Sequence, residues 1–247
     1  TPCNGRLPLL ITLSALFFVG SAASGAVLKA LFLAGLLALS LGMTLGASFL
    51  LSKTVLRGMP SAFALELPPY RIPRVGQVLA RSVLDRTLHV LGRATAVAAP
   101  AGVLIWCLGN VAVSGQNLLG WCAGFLDPLA RPFGLDGAIL LAFLLALPAN
   151  ELVLPLLLMI YLSQGALTQA GDLGALHGLL LENGWTWMTA LCVMVFSMFH
   201  WPCSTTCWTI WKETRSLKWT GVSFLLPTAL GLALCYLLAA LGRALGV

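Results

Sequence analysis

Long apolar stretches separated by short polar segments are the dominant pattern of this chain. Most of these stretches reach the roughly 20 residues that an α-helix needs to cross the hydrocarbon core of a bilayer. The pattern therefore predicts an all-α fold, a polytopic transmembrane helical bundle. The stretches cover residues 8–24, 26–52, 94–113, 137–163, 186–210 and 220–241.

The longest polar interval, residues 53–93, is strongly basic. It contains seven Lys or Arg residues and two Asp or Glu residues. Because loops rich in Lys and Arg stay on the cytoplasmic side, we predict that this interval is a cytoplasmic loop. From Val75 to Arg93, apolar residues recur at spacings of one, three and four with arginines between them. This part is therefore predicted to form an amphipathic helix on the inner membrane surface.

A second basic segment constrains the topology of the middle of the chain. It carries Lys212, Arg215 and Lys218, which place it inside as well. Three apolar stretches separate the two basic segments, so one stretch must fail to cross. We assign this to 137–163, since Pro148-Ala-Asn-Glu151 divides it into two arms of re-entrant length. The open alternative makes residues 116–130 an additional crossing. The same count puts Arg6 at the inner membrane interface.

Composition restricts the class of protein further. Hydrophobic residues make up 59% of the 247 and charged residues 9%, with a mean hydropathy of +0.95. Soluble domains carry about 25% charge, so we expect a single membrane-embedded domain over residues 1–247. The net charge of +6 reflects topology, and nucleic acid is not expected as a partner. No secretory signal peptide is predicted, and a first residue other than Met suggests part of a longer polypeptide.

Two Pro-Cys pairs, Pro2-Cys3 and Pro202-Cys203, adjoin apolar stretches. Proline removes a backbone donor and interrupts the helical hydrogen-bond ladder. In lipid, the polar groups freed in this way persist only where they are buried in protein or line a cavity. A thiol beside such an opening suits a soft or borderline metal ion. The pairs therefore predict that Cys3 and Cys203 lie on a metal-ion path through broken helices.

The interruption at residues 148–151 offers oxygen ligands for the same path. Glu151 is a carboxylate within an apolar stretch, and intramembrane ionisable groups mark ion or proton routes by default. Asn150 adds an amide oxygen beside it. The alternative for Glu151 is a cap at the start of the second arm, and the two roles are compatible.

The segment from His200 to Cys207 places an imidazole, two thiols and several hydroxyls beside Pro202. We predict His200 as an entry or relay ligand and Cys203 as the thiol nearer the break. The open alternative has His200 at a membrane interface, with the hydroxyls returning hydrogen bonds to a kinked helix. No P-loop, His-Glu-x-x-His or Ser/His/Asp order occurs, so no enzymatic reaction is predicted.

Four stretches resemble motifs of the ferrous iron transport protein B family, occur in the family's order and span nearly the whole chain. Pro2-Cys-Asn-Gly-Arg-Leu-Pro8 is similar to the first gate motif. Glu66-Leu-Pro-Pro-Tyr-Arg-Ile-Pro73 resembles the segment leading into the family's amphipathic helix. Pro148-Ala-Asn-Glu-Leu-Val-Leu-Pro155 is similar to its central break, and the segment starting at His200 to its second gate motif.

This resemblance implies Fe²⁺ import across the bacterial cytoplasmic (inner) membrane, with Fe²⁺ as the transported substrate. It puts Cys3 and Cys203 on the iron path, with Glu151, Asn150 and His200 as our further candidate ligands. The implied organisation is a first gate region at 1–52, a cytoplasmic loop at 53–93, middle spans at 94–185 and a second gate region at 186–247.

The family also carries an N-terminal GTP-binding domain, which we expect to be absent from this chain. GTP would then act only through that domain, on the same or a separate polypeptide. The other expected partners are the lipid bilayer, small cytoplasmic accessory proteins and further copies of the chain. The helix predicted at 75–93 is the candidate contact for the GTP-binding domain.

Two other functions stay open at this point. A nucleoside or small-solute transporter of gate-type architecture would use Glu151, Asn150 and the ends of the broken helices without any thiol. A membrane anchor or assembly scaffold would transport nothing, and would retain its partner when Glu151 is changed to Gln.

Overall fold

The computed structural model describes residues 3–18, 24–54, 75–113, 115–163 and 172–244. The proline-rich stretch 66–73 lies outside them. The described residues are helical apart from short connections and one antiparallel ladder, Ala112–Val113 with Gln116–Asn117. The helices are α1 Leu7–Phe17, α2 Ser24–Thr54, α3 Val75–Arg81, α4 His89–Asn110, α5 Leu118–Ala130, α6 Gly137–Leu145, α7 Val153–Tyr161, α8 Leu173–Glu182, α9 Trp187–Phe199, α10 Ser204–Thr214 and α11 Leu217–Ala244.

Four helical segments among the described residues are long and apolar enough to cross a membrane. They are Ala30–Thr54 in α2, Val90–Asn110 in α4, Trp187–Thr214 across α9 and α10, and Leu217–Ala244 in α11. Each coincides with a stretch that the apolar pattern predicted. The prediction of an all-α, polytopic membrane bundle is therefore confirmed.

Helices α5 and α6 meet at a sharp corner. Leu118–Phe133 and Gly137–Leu145 are together long and apolar enough to span a membrane, but they are bent by 106° relative to each other. Gly134 supplies the left-handed backbone at the corner, with φ of 69°. A Cβ atom at Gly137 would lie 1.9 Å from the carbonyl oxygen of Ala123, so only glycine permits this contact. Most of the 116–130 segment is thus the helix α5, which meets α6 at a corner.

Helices α6 and α7 form a hairpin. The carboxylate of Asp136 caps α6 by accepting from the Ile139 N–H at 2.6 Å, and it also accepts from the Tyr161 hydroxyl at the end of α7. The start of α6 therefore lies beside the end of α7, and the two nine-residue arms run antiparallel. The interruption predicted around Pro148 is present between them. The side from which this hairpin enters a membrane stays a prediction.

Helices α1 and α9 also run antiparallel. The Phe17 ring stacks on Trp185 with ring centroids 6.0 Å apart, while Arg6 at the other end contacts the carbonyl of Met198. Most of the buried side chains come from these two helices and from the α6–α7 hairpin. The core of the molecule therefore consists of four short helices, and the long helices lie around it.

The segment predicted as an amphipathic helix is helical but does not stand alone. A π-helix, Ser82–Leu88, joins α3 directly to α4, so helical backbone runs from Val75 to Asn110. The boundary predicted at residue 93 is not a break in the helix.

Candidate functional site

Three broken segments meet inside the bundle. They are residues 3–6 before α1, residues 147–151 between α6 and α7, and residues 200–204 between α9 and α10. We call this meeting point the central junction. The backbone N–H and the hydroxyl of Ser204 both donate to the carbonyl of Leu147, at 2.9 and 3.0 Å. These bonds tie the second and third segments together.

The central junction lies near the middle of a spanning segment. Trp187–Thr214 has 13 helical residues before the break and 11 after it. At 1.5 Å per residue, the first half alone is about 20 Å long. Polar groups at that depth must be satisfied within the protein, which explains the dense hydrogen bonding described below.

Arg6 is the cation of the junction, and its predicted place was wrong. The prediction put it at the inner membrane interface, whereas it is 8% exposed. Its Nη1 donates to Met198 O at 2.9 Å, and its Nη2 to Trp201 O at 3.1 Å and His200 O at 3.4 Å. Helix α9 ends at the break and leaves these carbonyls without helical donors, so the guanidinium takes that role.

Cys3, Asn150 and His200 form a continuous chain across the three segments. Asn150 donates through Nδ2 to the Cys3 Sγ at 3.5 Å, and its Oδ1 faces His200 Nε2 at 3.3 Å. Asn150 and His200 are buried, whereas Cys3 is exposed. The chain therefore leads from an accessible thiol to a buried imidazole.

The hydrogen bonding of His200 determines which nitrogen can bind a cation. Its Nδ1 lies 2.9 Å from the carbonyl oxygen of Ser197, which accepts only if Nδ1 carries the proton. In the neutral ring, Nε2 then has a free lone pair that points at Asn150 Oδ1, a second acceptor. A cation or a proton at this point satisfies both atoms, which is the usual arrangement of a histidine ligand held by its other nitrogen.

Cys203 lies at the border of the same junction. It is the N-cap of α10 and is half-buried, with its Sγ 3.1 Å from the hydroxyls of both Thr205 and Thr206. Cys203 and Cys3 are each close enough to Arg6 to interact with its charge. The two thiols thus approach one buried cation from different segments.

Glu151 is the last residue of the second segment of the junction, and it is exposed. Among the described residues its carboxylate makes no hydrogen bond or ion pair. The backbone of the first segment passes closely here, since a Cβ atom at Gly5 would lie 3.5 Å from Glu151 N. The carboxylate is therefore available near Cys3 and Asn150 without being engaged by either.

The five predicted ligands do not form a compact metal cage. No group of three or more His, Cys, Asp and Glu side chains in the described part of the chain is placed to hold a metal ion. The structure brings Cys3, Asn150 and His200 into contact, and it leaves Cys203 and Glu151 at the border. Such an open donor set resembles a pathway more than a closed structural site, which uses four ligands.

Two features of this region escaped the sequence analysis. One is the role of Arg6. The sequence does contain a signal for it, because this arginine stands between a Pro-Cys pair and the start of an apolar helix. The other is a network at the far end of the short helices, where Trp185 Nε1 donates to the Tyr161 hydroxyl at 2.7 Å and that hydroxyl donates to Asp136. Trp185 is buried at this end of the bundle.

Comparison with known proteins identifies two matching family models. The model described as the ferrous iron transport protein B C terminus matches residues 31–85, and the model described as nucleoside recognition matches residues 91–217. No solved structure matches the chain.

Relatives carrying the name Fe(2+) transporter FeoB match nearly the whole chain. The protein from Staphylococcus aureus strain MSSA476 is 28% identical over 98% of this chain and 35% of its own length. The relative from Synechocystis sp. is 27% identical over 91% of this chain and 35% of its own length, and the relative from Methanocaldococcus jannaschii is 27% identical over 88% and 32%. The chain therefore spans about a third of the length of these relatives. On the strength of these sequence matches, the chain belongs to the ferrous iron transport protein B family.

Proposed function

We propose that this chain is the Fe²⁺-conducting membrane part of an importer in the bacterial cytoplasmic membrane, and that the ion passes through the central junction. The observation that carries the proposal is the contact chain of Cys3, Asn150 and His200 between three broken segments. Sulfur, amide oxygen and imidazole nitrogen together suit a borderline divalent metal better than a hard cation. The relatives are named Fe(2+) transporter FeoB, which supports the same substrate.

The charges of the candidate ligands match those of the ion and the buried arginine. Arg6 and one Fe²⁺ together carry three positive charges. Thiolates at Cys3 and Cys203 and the carboxylate of Glu151 carry three negative charges, so these groups together balance the ion and the arginine along the path. Because a thiol must lose its proton to bind a metal, each binding event releases protons. The neutral donors Asn150 and His200 add ligands without adding charge.

The open arrangement suits passage of the ion. Conduction requires binding that is favourable enough for entry and weak enough for exit. One or two thiolates among neutral donors meet that requirement better than four thiolates, which favour permanent Zn²⁺ sites. The exposed Cys3 is the first contact in this scheme, and the buried His200 receives the ion next.

In our proposal, the remaining parts of the importer are supplied by other domains or subunits. A GTP-binding domain, on the same or a separate polypeptide, would supply nucleotide hydrolysis, and this chain would catalyse no reaction. The helical segment from residue 75 to residue 93 is the proposed contact for that domain. Small cytoplasmic accessory proteins and further copies of the chain are additional proposed partners.

Uptake of Fe²⁺ by substituted variants tests the proposal. The protein is expressed together with the GTP-binding domain, and initial uptake rates are measured in proteoliposomes. We expect Cys203→Ser and Glu151→Gln each to lower the rate at least about tenfold, which corresponds to about 1.4 kcal/mol. Cys107→Ser, which changes a half-buried thiol on α4, is the matched control and should leave uptake unchanged. Normal uptake in both junction variants would reject the proposed path.

A second function is favoured by one specific observation. The model that matches residues 91–217 is described as nucleoside recognition. A nucleoside carrier would use Asn150 as a hydrogen-bonding group and would have no need of sulfur. Double substitution of Cys3 and Cys203 by Ser separates the two functions, since nucleoside uptake should persist and Fe²⁺ uptake should not.

A further inference from the structure

A basic cavity of about 570 Å³ lies between α4 and α10, at the ends of these helices away from the α4–α5 connection. Three cations, Arg93, Lys212 and Arg215, line it together with Trp208 and Trp211. The rest of its lining is Leu88 and the small residues Gly92 and Ala96. The cavity therefore combines a cationic part with an apolar part.

The cations of this basic cavity come from distant parts of the chain. Arg93 belongs to the first basic segment, whereas Lys212 and Arg215 belong to the second, about 120 residues later. Their convergence on one cavity places both segments at the same end of the bundle. The positive-inside rule predicted the cytoplasmic side for each segment independently, so we expect the cavity at the cytoplasmic end of the bundle.

Within the described residues, no carboxylate pairs with the cations of the cavity. Among the described residues, the ion pair between Arg131 and Asp127 is the one that forms, and none of the three cavity cations takes part in an ion pair. Glu213 lies in the same helix but does not line the cavity. Three like charges around one space repel each other, and a bound anion removes that repulsion.

The apolar part of the cavity is open to the surroundings of the bundle. Leu88, Gly92 and Ala96 are exposed, and Trp208 and Trp211 are 45% and 46% exposed. Half-exposed tryptophans are typical of the headgroup level of a bilayer, where the ring meets hydrocarbon on one side and water on the other. A purely aqueous anion would use the cations and leave this apolar floor uncovered.

We propose that the basic cavity binds an anionic phospholipid. The lipid phosphate contacts Arg93, Lys212 and Arg215, the tryptophans lie beside the glycerol region, and an acyl chain covers the apolar floor along α4. Basic pockets between spanning helices on the cytoplasmic side are a recurrent form of lipid-headgroup site. This site is separate from the central junction and does not depend on the transported ion.

Binding of phosphatidylglycerol to the delipidated chain tests the proposal. The chain is purified in detergent, and lipid in mixed micelles is titrated while bound lipid is counted by native mass spectrometry. We expect at least about tenfold preference for phosphatidylglycerol over phosphatidylcholine. The triple variant R93Q/K212Q/R215Q should lose about 100-fold in phosphatidylglycerol affinity, since each cation near the surface contributes about fivefold.

A matched triple variant distinguishes specific binding at the cavity from nonspecific electrostatic attraction of the lipid. K53Q/R81Q/K218Q removes three exposed cations that do not line the cavity and should retain the parent affinity within about twofold. If the cavity variant unfolds, R93K/R215K is measured in its place. Because this variant retains the charge, its affinity for phosphatidylglycerol should fall less than about tenfold. A thermal melt of each variant reports folding directly.

Three results would overturn the proposal. Equal loss in both triple variants would show nonspecific attraction, and equal binding of phosphatidylcholine would remove the role of charge. Full displacement of phosphatidylglycerol by millimolar inorganic phosphate would show that a free anion, not a lipid, is the ligand. If the cavity variant no longer binds a soluble GTP-binding domain but keeps its lipid affinity, this surface belongs to a protein partner instead.

Discussion

The broken span Trp187–Thr214 and the unbroken span Val90–Asn110 show two different uses of apolar sequence. Protein buries 61% of the most apolar window of the first span and 6% of that of the second. The buried span nevertheless has the lower mean hydropathy, 1.2 against 1.5. In water the more hydrophobic helix would be expected inside. Here lipid replaces water, and the less hydrophobic helix lies inside.

This inversion follows from what each solvent demands. Lipid tails are as apolar as a leucine side chain, so burial of apolar surface provides little driving force between helices in a membrane. Polar groups and freed carbonyls are instead costly when exposed to lipid, and they gather where protein can satisfy them. The central junction is therefore buried because it is polar, and α2, α4 and α11 surround it because they tolerate lipid on most sides.

The largest expected effect distinguishes a buried arginine from an exposed one. Arg6→Ala removes the donors of three carbonyls at the break and should lower the free energy of unfolding by about 3 kcal/mol or more. Arg131→Ala removes an arginine whose side chain is 76% exposed in an ion pair, and should cost less than about 1 kcal/mol.

Denaturant unfolding in detergent, followed by near-ultraviolet circular dichroism, measures both arginine variants. Arg6→Lys should recover only part of the loss, because a single ammonium cannot reproduce the forked geometry of a guanidinium. Equal stability of Arg6→Ala and Arg131→Ala would refute the assigned role of Arg6 at the break.

A smaller effect is expected from adding one methyl group at a glycine, either at the α5–α6 corner or on the spanning helix α4. Gly137→Ala would place its Cβ 1.9 Å from the Ala123 carbonyl, so α5 and α6 must separate at a cost of about 2 kcal/mol. Gly102→Ala on α4 meets nothing within 4 Å and should change stability by less than about 1 kcal/mol, in the stabilising direction. Midpoints of thermal unfolding compare the two, and a harmless Gly137→Ala would contradict the close packing of the corner.

The smallest effect concerns one hydroxyl at the far end of the hairpin. Tyr161→Phe removes the group between Trp185 and Asp136 and leaves a half-buried carboxylate with one partner fewer, at a cost of about 1 to 2 kcal/mol. Tyr236→Phe alters a tyrosine that is 50% exposed and makes no hydrogen bond in the described part of the chain, so its stability should not change measurably. Hydrogen exchange of α6 and α7 should speed up in the first variant alone.

Much of the fold follows from local properties of the chain. The length of the apolar stretches predicted the four spanning segments, and Pro148 and Pro202 predicted the two internal breaks. The basic intervals predicted two segments on one side of the membrane, and the shared cavity of Arg93, Lys212 and Arg215 agrees with that placement. Each of these signals acts within about 20 residues, so the folded structure is not needed to recognise it.

The candidate site was only partly predictable, because it depends on contacts between residues that are far apart in the sequence. Asn150, His200 and Cys3 were recognised as groups with ligand chemistry, but their contact with one another was not implied by any spacing along the chain. Arg6 was misplaced because an arginine beside an apolar stretch usually marks a membrane interface. Its true partners lie 192 to 195 residues away, and nothing local shows that they need a donor.

Apolar length, proline and charge thus determined the class of this protein, its spans and the positions of its breaks. These properties act through the solvent and through the neighbouring backbone, which every residue meets before the chain is folded. Tertiary structure decided which breaks meet, which cation satisfies their carbonyls and which donors face each other. Those partners come from segments 50 to 195 residues apart, and only packing of the short helices brings them within hydrogen-bonding distance.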